Sequence, residues 1–182
     1  MKKKINELLR LFGQSVQIKP LARCNYHCSY CSMDLNNKDW RMKKIMPLGR
    51  ARYILNRTPE RIVNICGGEP LLWKPLNEFI DICLRKGRMV DTITNLSFYR
   101  KLPVSYRHKI HATYHKEMVT KEAFINVYNM YKADGHLIVV YEFGKKELKF
   151  SRLKKLQTEP NDHKLKSYGP DGKLYDNCYL KK

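Results

Sequence analysis

No run in the sequence approaches the roughly 18 apolar positions that a membrane-spanning helix needs, so no membrane partner is expected. A secretory signal is also missing. The opening MKKKINELLRLFG starts with lysines, but Glu7 and Arg10 interrupt the apolar residues before an h-region can form. Its Ile5, Leu8, Leu9 and Phe12 recur at helical spacing instead, which predicts a short amphipathic helix within residues 1–14. The six cysteines do not make a disulfide framework: Cys24, Cys28 and Cys31 crowd together, while Cys66, Cys83 and Cys178 are scattered. Clustered thiols without an export signal point to metal or redox chemistry and a cytoplasmic protein. Internal repeats and low-complexity linkers are lacking too. The 182 residues read as one domain, long enough to bury a core without staples.

Acidic residues are scarce. Asp and Glu number 17 against 36 Lys and Arg, a net charge of +19. An excess of that size favours an anionic substrate or partner: an acidic peptide, an acidic protein surface or nucleic acid. The plainer reading is a solvated lysine-rich surface, since the lysines spread over the whole chain. No recognition-helix, RRM or zinc-finger signature accompanies them.

What is present is an alternation of apolar and amphipathic runs. SVQIKPLA (15–22), RIVNIC (61–66), MVDTITN (89–95), KIHATYH (109–115) and HLIVVYEF (136–143) read as strands. LGRARYILNR (48–57), LNEFIDICLRKG (76–87) and TKEAFINVYNMYKADG (120–135) read as helices. In the second helix Leu76, Phe79, Ile80, Cys83 and Leu84 share a face, and Gly87 stands at the C-cap position. The alternation predicts an α/β fold with parallel strands. Eight-fold barrels usually need 200 residues or more, so a partial, open (β/α) barrel of five to six strands is expected. Active residues in such sheets gather at the carboxyl ends of the strands. The cysteine loop, Gly67-Gly68, Thr94-Asn95 and Thr113-Tyr114-His115 all fall at such ends. The expected division is an N-terminal helix over 1–14, a core over 15–143 and an extension over 144–182. In the extension, residues 145–157 read as a basic helix. Residues 165–180 read as a hairpin turning at Pro170-Asp171-Gly172.

The triplet ARCNYHCSYCSMD (22–34) offers three thiols where a tetrahedral site takes four ligands. Zinc would complete its shell with His27 or Cys66. His27 adjoins Cys28, which makes joint chelation awkward, and no second cysteine pair follows. A [4Fe–4S] cluster normally takes four cysteines. With three, one iron stays open to a ligand from outside the protein.

The spacing C-x3-C-x2-C, followed about 35 residues later by Gly67-Gly68-Glu69-Pro70, resembles the radical S-adenosylmethionine (radical SAM) superfamily over residues 15–143. Tyr30 stands before the third cysteine, where that family prefers an aromatic residue. CNYHCSYC and GGEPLL look most like members that modify peptides and proteins.

The resemblance implies a [4Fe–4S] cluster on Cys24, Cys28 and Cys31, with SAM on the open iron and an external one-electron donor. Cleavage of SAM would then yield a 5′-deoxyadenosyl radical that abstracts hydrogen. The cofactors carry the hard chemistry and the protein positions them. By the same resemblance Gly67, Gly68, Glu69 and Pro70 lie along the methionine part of SAM. Thr94, Asn95 and Thr113 would meet its ribose or carboxylate, and Tyr30 its adenine. His115 ends a strand that faces the site, although a surface histidine is the plainer reading. Cys83 reads as a core residue and Cys66 as a small buried thiol. YGPDGKLYDNC resembles the opening of the SPASM-type extension, which binds auxiliary clusters, but only Cys178 is there to serve one. The expected substrate is a peptide or protein side chain. The alternatives are a nucleic-acid base or nucleotide modified by the same chemistry, a zinc-containing nucleic-acid-binding module, and an electron-carrying iron–sulfur protein.

Overall fold

The computed structural model describes residues 15–31, 45–142, 154–155 and 166–175. The first strand, β1 (Ser15–Leu21), is buried along almost its whole length and carries the cysteine loop at its carboxyl end. It is followed by α1 (Leu48–Arg57), β2 (Ile62–Gly67), a single 3-10 turn (Pro70–Leu72) and α2 (Leu76–Arg85). Next come β3 (Met89–Thr94), β4 (His108–Tyr114), α3 (Lys121–Ala133) and β5 (Leu137–Glu142). Short strands β6 (Lys154–Lys155), β7 (Lys166–Tyr168) and β8 (Leu174–Tyr175) complete the order.

The strands form one open sheet in the order β6-β5-β4-β3-β2-β1-β7-β8. From β1 to β6 each strand pairs in parallel with the next in sequence, the pattern of a partial (β/α) barrel. The five main strands stand where the hydrophobic runs put them. The tail widens the sheet: β7 pairs in parallel with the free side of β1, and β8 folds back antiparallel on β7. The hairpin at Pro170-Asp171-Gly172 is therefore present. It is held by Lys166 Nζ at 3.1 Å from the buried Glu60 Oε1 and by Arg50 Nη2 donating to Gly172 O at 2.9 Å. Of the expected basic helix, Lys154 and Lys155 are strand residues and the remainder lies outside the described residues. At Lys154 and Lys155, pairing along the open edge of β5 prevails over helical spacing. The N-terminal helix expected over residues 1–14 also falls outside the described residues.

The core follows from side-chain period. In α2, Leu76, Phe79, Ile80 and Cys83 are buried at i, i+3, i+4 and i+7, so Cys83 is a core residue as expected. Gly87, with φ +73°, closes that helix as Arg88 N–H donates to Cys83 O at 3.0 Å. Thr120 caps α3, accepting from Ala123 N–H at 3.3 Å. On β4 the even positions His108, Ile110, Ala112 and Tyr114 are all buried. Tyr114 packs on Phe124 of α3 with ring centroids 5.2 Å apart, which fixes that face as the helix-covered one. The odd positions His111, Thr113 and, just past the strand, His115 lie on the opposite face. Between β3 and β4 no helix intervenes. Arg100 anchors that crossover by donating to Leu71 O, Trp73 O and Lys74 O at 2.7, 2.7 and 2.8 Å. Among the described residues no helix is long and apolar enough to cross a membrane.

Candidate functional site

The cysteine loop leaves β1 at Leu21 and is locked at once to the turn after β2. Gly68 N–H donates to Leu21 O at 3.0 Å, and Glu69 N–H donates to Arg23 O at 2.9 Å. The paired glycines make this approach possible. Gly67 has φ +120°, a conformation L side chains rarely adopt, and an added Cβ would stand 2.6 Å from Leu21 O. At Gly68 an added Cβ would stand 1.9 Å from Arg23 O. The family resemblance implies a role toward SAM for these glycines. The structure supplies a nearer reason, because the turn is pressed against the backbone that presents Cys24.

Glu69 is 1 % exposed, and among the described residues no cation is a cause of its shift. Its Oε1 accepts from Thr94 Oγ1 at 2.7 Å and Leu71 N–H at 2.9 Å, while Oε2 accepts from Asn95 N–H at 2.8 Å. Burial pushes its carboxyl up to about 7, and these three donors oppose that shift by favouring the charged form. Glu69 thus ties the 3-10 turn to the end of β3. Pro70, buried, starts that turn.

At the far side the loop meets the end of β4. His115 Nδ1 lies 3.3 Å from Cys28 Sγ and 3.0 Å from Tyr30 Oη. Its ring stacks on Tyr30 at 5.9 Å and meets Tyr26 edge-on at 6.0 Å. Burial lowers His115 to about 4, so the imidazole is neutral at physiological pH. Ser29 Oγ donates to Glu117 Oε2 at 2.9 Å, a further clasp between the two segments. Cys24 receives Tyr26 N–H at 3.4 Å and Asn95 Nδ2 at 3.7 Å.

The thiols are unequally placed. Cys24 and Cys28 are partly buried and Cys31 is exposed. Desolvation, with Glu69 and the other two cysteines adding like charge, holds Cys24 at about 11. Desolvation chiefly raises Cys28 as well. Metal binding to thiols releases their protons, so uptake of a cluster works against this desolvation at Cys24 and Cys28. Among the described residues no three His, Cys, Asp or Glu side chains converge closely enough for one metal ion. His27 is exposed, and Cys66 is buried at the end of β2. A tetrahedral zinc centre finds no support in that geometry. A cluster takes each thiolate on a separate iron and so fits three sulfurs of one loop that do not meet at a point. Cys24, Cys28 and Cys31 are the residues that could hold it.

The remaining expected site residues are divided. Tyr30, Asn95 and His115 contact the cysteine loop or its sulfurs. Thr94 turns its hydroxyl to Glu69 and accepts Leu96 N–H at 3.0 Å, so it clips the turn. Thr113 is buried two residues before His115 on the same face of β4. Cys178 lies outside the described residues. The sequence reading missed Asn25, Ser97 and Glu117. Their only signal was position, within two residues of ones already singled out.

No curated protein matches the sequence. Among solved structures, Streptococcus suis SuiB bound to the precursor peptide SuiA superposes with TM-score 0.63 at 18 % identity, over 81 % of this chain and 37 % of that one. SuiB bound to S-adenosylmethionine gives TM-score 0.60 at 17 % identity, with the same shares covered. The enzyme anSMEcpe with bound AdoMet gives 0.55 at 16 % identity, over 71 % of this chain and 42 % of that one. The chain therefore spans well under half the length of these proteins, and at such identities the likeness speaks for the fold. The sequence model of the radical SAM superfamily, an enzyme superfamily whose members bind a [4Fe–4S] cluster and SAM, matches residues 18–110. That span takes in the cysteine loop, the glycine turn and the end of β3, and the chain belongs to the radical SAM superfamily.

Proposed function

We propose that this chain reductively cleaves SAM at a [4Fe–4S] cluster held by Cys24, Cys28 and Cys31, and uses the product radical on a peptide or protein side chain. The carrying observation is the arrangement at the carboxyl edge of the sheet. The loop that carries the three thiols is fixed from two sides, its backbone by the glycine turn and Cys28 by His115, with no fourth side chain closing the set among the described residues. Cys24, Cys28 and Cys31 would hold the cluster, which, reduced by an external one-electron donor, would supply the electron that cleaves SAM to methionine and a hydrogen-abstracting 5′-deoxyadenosyl radical.

The protein's share is positional. Gly67 and Gly68 let the turn carry Cys24 at a fixed height above β2. Glu69 holds the ends of β2 and β3 together. Tyr26 and Tyr30 pack their rings against His115 and so fix the loop against the end of β4. Residues 15–143 serve as the catalytic core and 144–182 as an extension, in a cytoplasmic protein served by an external electron donor.

Two observations support a peptide substrate. SuiB, similar in fold, is bound to a precursor peptide, and the net charge of +19 suits an acidic one. That same charge favours the second reading, a nucleic-acid base or nucleotide. The test is anaerobic. Reconstituted protein is expected to hold about four irons per chain and, once reduced with dithionite, to convert SAM to 5′-deoxyadenosine. One zinc and no iron, or iron without deoxyadenosine, refutes the proposal. Strongly salt-dependent binding to RNA, with none to acidic peptides, moves the substrate to nucleic acid.

A further inference from the structure

Asn95 follows β3 directly, and its neighbours fix which way its amide points. Oδ1 accepts from Ser97 N–H at 2.9 Å, so that end must be the carbonyl. Nδ2 is then the end that faces Asn25 Oδ1 at 3.0 Å and Cys24 Sγ at 3.7 Å. A flipped amide would set NH2 against N–H and oxygen against oxygen. Asn95 N–H donates to the buried Glu69, which holds the whole residue in register. An amide NH2 only donates, whatever the pH.

We propose that Asn95 is a positioning residue that hydrogen-bonds the Cys24 thiolate and raises the reduction potential of the cluster. The inference rests on the functional reading above. It gives Asn95 a different task from the SAM contact that the sequence resemblance implied. The physical reason is charge. Reduction adds an electron whose charge spreads onto the thiolate sulfurs, and an N–H on a sulfur stabilises that state more than the oxidised one. Cys24 is served twice, by Asn95 Nδ2 and by Tyr26 N–H.

The experiment uses the full chain, reconstituted anaerobically, with Asn95→Asp, Asn95→Ala and Asn95→Gln. Asn95→Asp keeps the size and the bond to Ser97 but removes the donor. Asn95→Gln keeps a donor on a longer arm. Iron content, the midpoint of an EPR-monitored redox titration without SAM, and SAM affinity by equilibrium dialysis are read for each. The expected result is that Asn95→Ala loads iron normally and shifts the reduction equilibrium against the reduced state by roughly threefold to tenfold, tenfold being about 59 mV for one electron. Asn95→Asp shifts it further, and Asn95→Gln stays nearer the wild type. Unchanged midpoints in iron-loaded Asn95→Asp and Asn95→Ala overturn the inference. Weakened SAM binding with unchanged midpoints also overturns it, in favour of a direct contact with SAM. A wild-type protein that takes up no iron refutes the functional reading itself, a result distinct from either.

Discussion

Replacing Gly68 with alanine adds one methyl group at the tightest point of the site. Its Cβ would fall 1.9 Å from Arg23 O, 2.4 Å from Arg23 C and 2.9 Å from Ala22 O. These are backbone atoms, so no rotamer change relieves the collision. The cysteine loop and the turn must separate, which strains or breaks the bonds from Gly68 N–H to Leu21 O and from Glu69 N–H to Arg23 O. Overpacking in a tight interior costs about 1–3 kcal/mol, and each lost backbone bond about 0.5–1.5 kcal/mol. Together, with both bonds lost, they predict a loss of about 2–6 kcal/mol. Urea unfolding of the apo protein measures it, and iron uptake on reconstitution is expected to fall with it, because the same separation moves Cys24. Gly49→Ala is the control. It lies in α1 with nothing within 4 Å of an added Cβ, and alanine there is expected to stabilise by about 0.5–1 kcal/mol. A Gly68→Ala protein as stable as wild type and fully loaded with iron would refute the reasoning.

Other outcomes follow from the same contacts. Cys28→Ala is expected to abolish cluster assembly and deoxyadenosine formation together; retention of deoxyadenosine formation contradicts the ligand set. Glu69, at about 7 in the fold against 4.5 as the ordinary value, binds its proton more tightly when folded. Its contribution to stability is therefore full below pH 4.5 and lost as pH rises toward 7. Glu69→Gln, compared with wild type by urea titration over pH 4.5–7, removes that slope; parallel curves for the two proteins would show that Glu69 does not titrate there. Burial lowers His108 and His136, so both contribute stability above the ordinary value of 6.5 that is lost as pH falls toward their lowered folded values. Neither ring nitrogen of His136 has a hydrogen-bond partner among the described residues, and its ring packs on Tyr131 and His108. His136→Phe is expected to raise stability by about 1 kcal/mol, from the 1–3 kcal/mol cost of unsatisfied buried groups. Differential scanning calorimetry checks it, and a lower melting temperature at pH 7 refutes it.

The legible part of this protein was written in local periodicities. Apolar runs of strand length, the i, i+3, i+4, i+7 face of α2 and the glycines closing α2 and α3 are properties of neighbouring residues. The main strands and helices stand where those patterns put them. The cysteine spacing belongs to the same class, because one loop carries all three thiols. Lys154 and Lys155 resisted, since helical spacing in a basic segment says nothing about an open sheet edge that will accept these two residues as a strand. The place of the tail hairpin was equally hidden. Its turn chemistry is local, but its pairing with β1 spans nearly the length of the chain.

Sequence by itself determined the strand–helix order, the thiol triplet and the kind of chemistry three thiols invite. Only the tertiary structure decided what each polar residue faces. Gly68 meets Arg23, Glu69 meets Thr94 and Asn95, and Cys28 meets His115 from 87 positions away. Such contacts form because parallel strands bring their carboxyl ends level, and no pattern within a single element encodes which ends will touch.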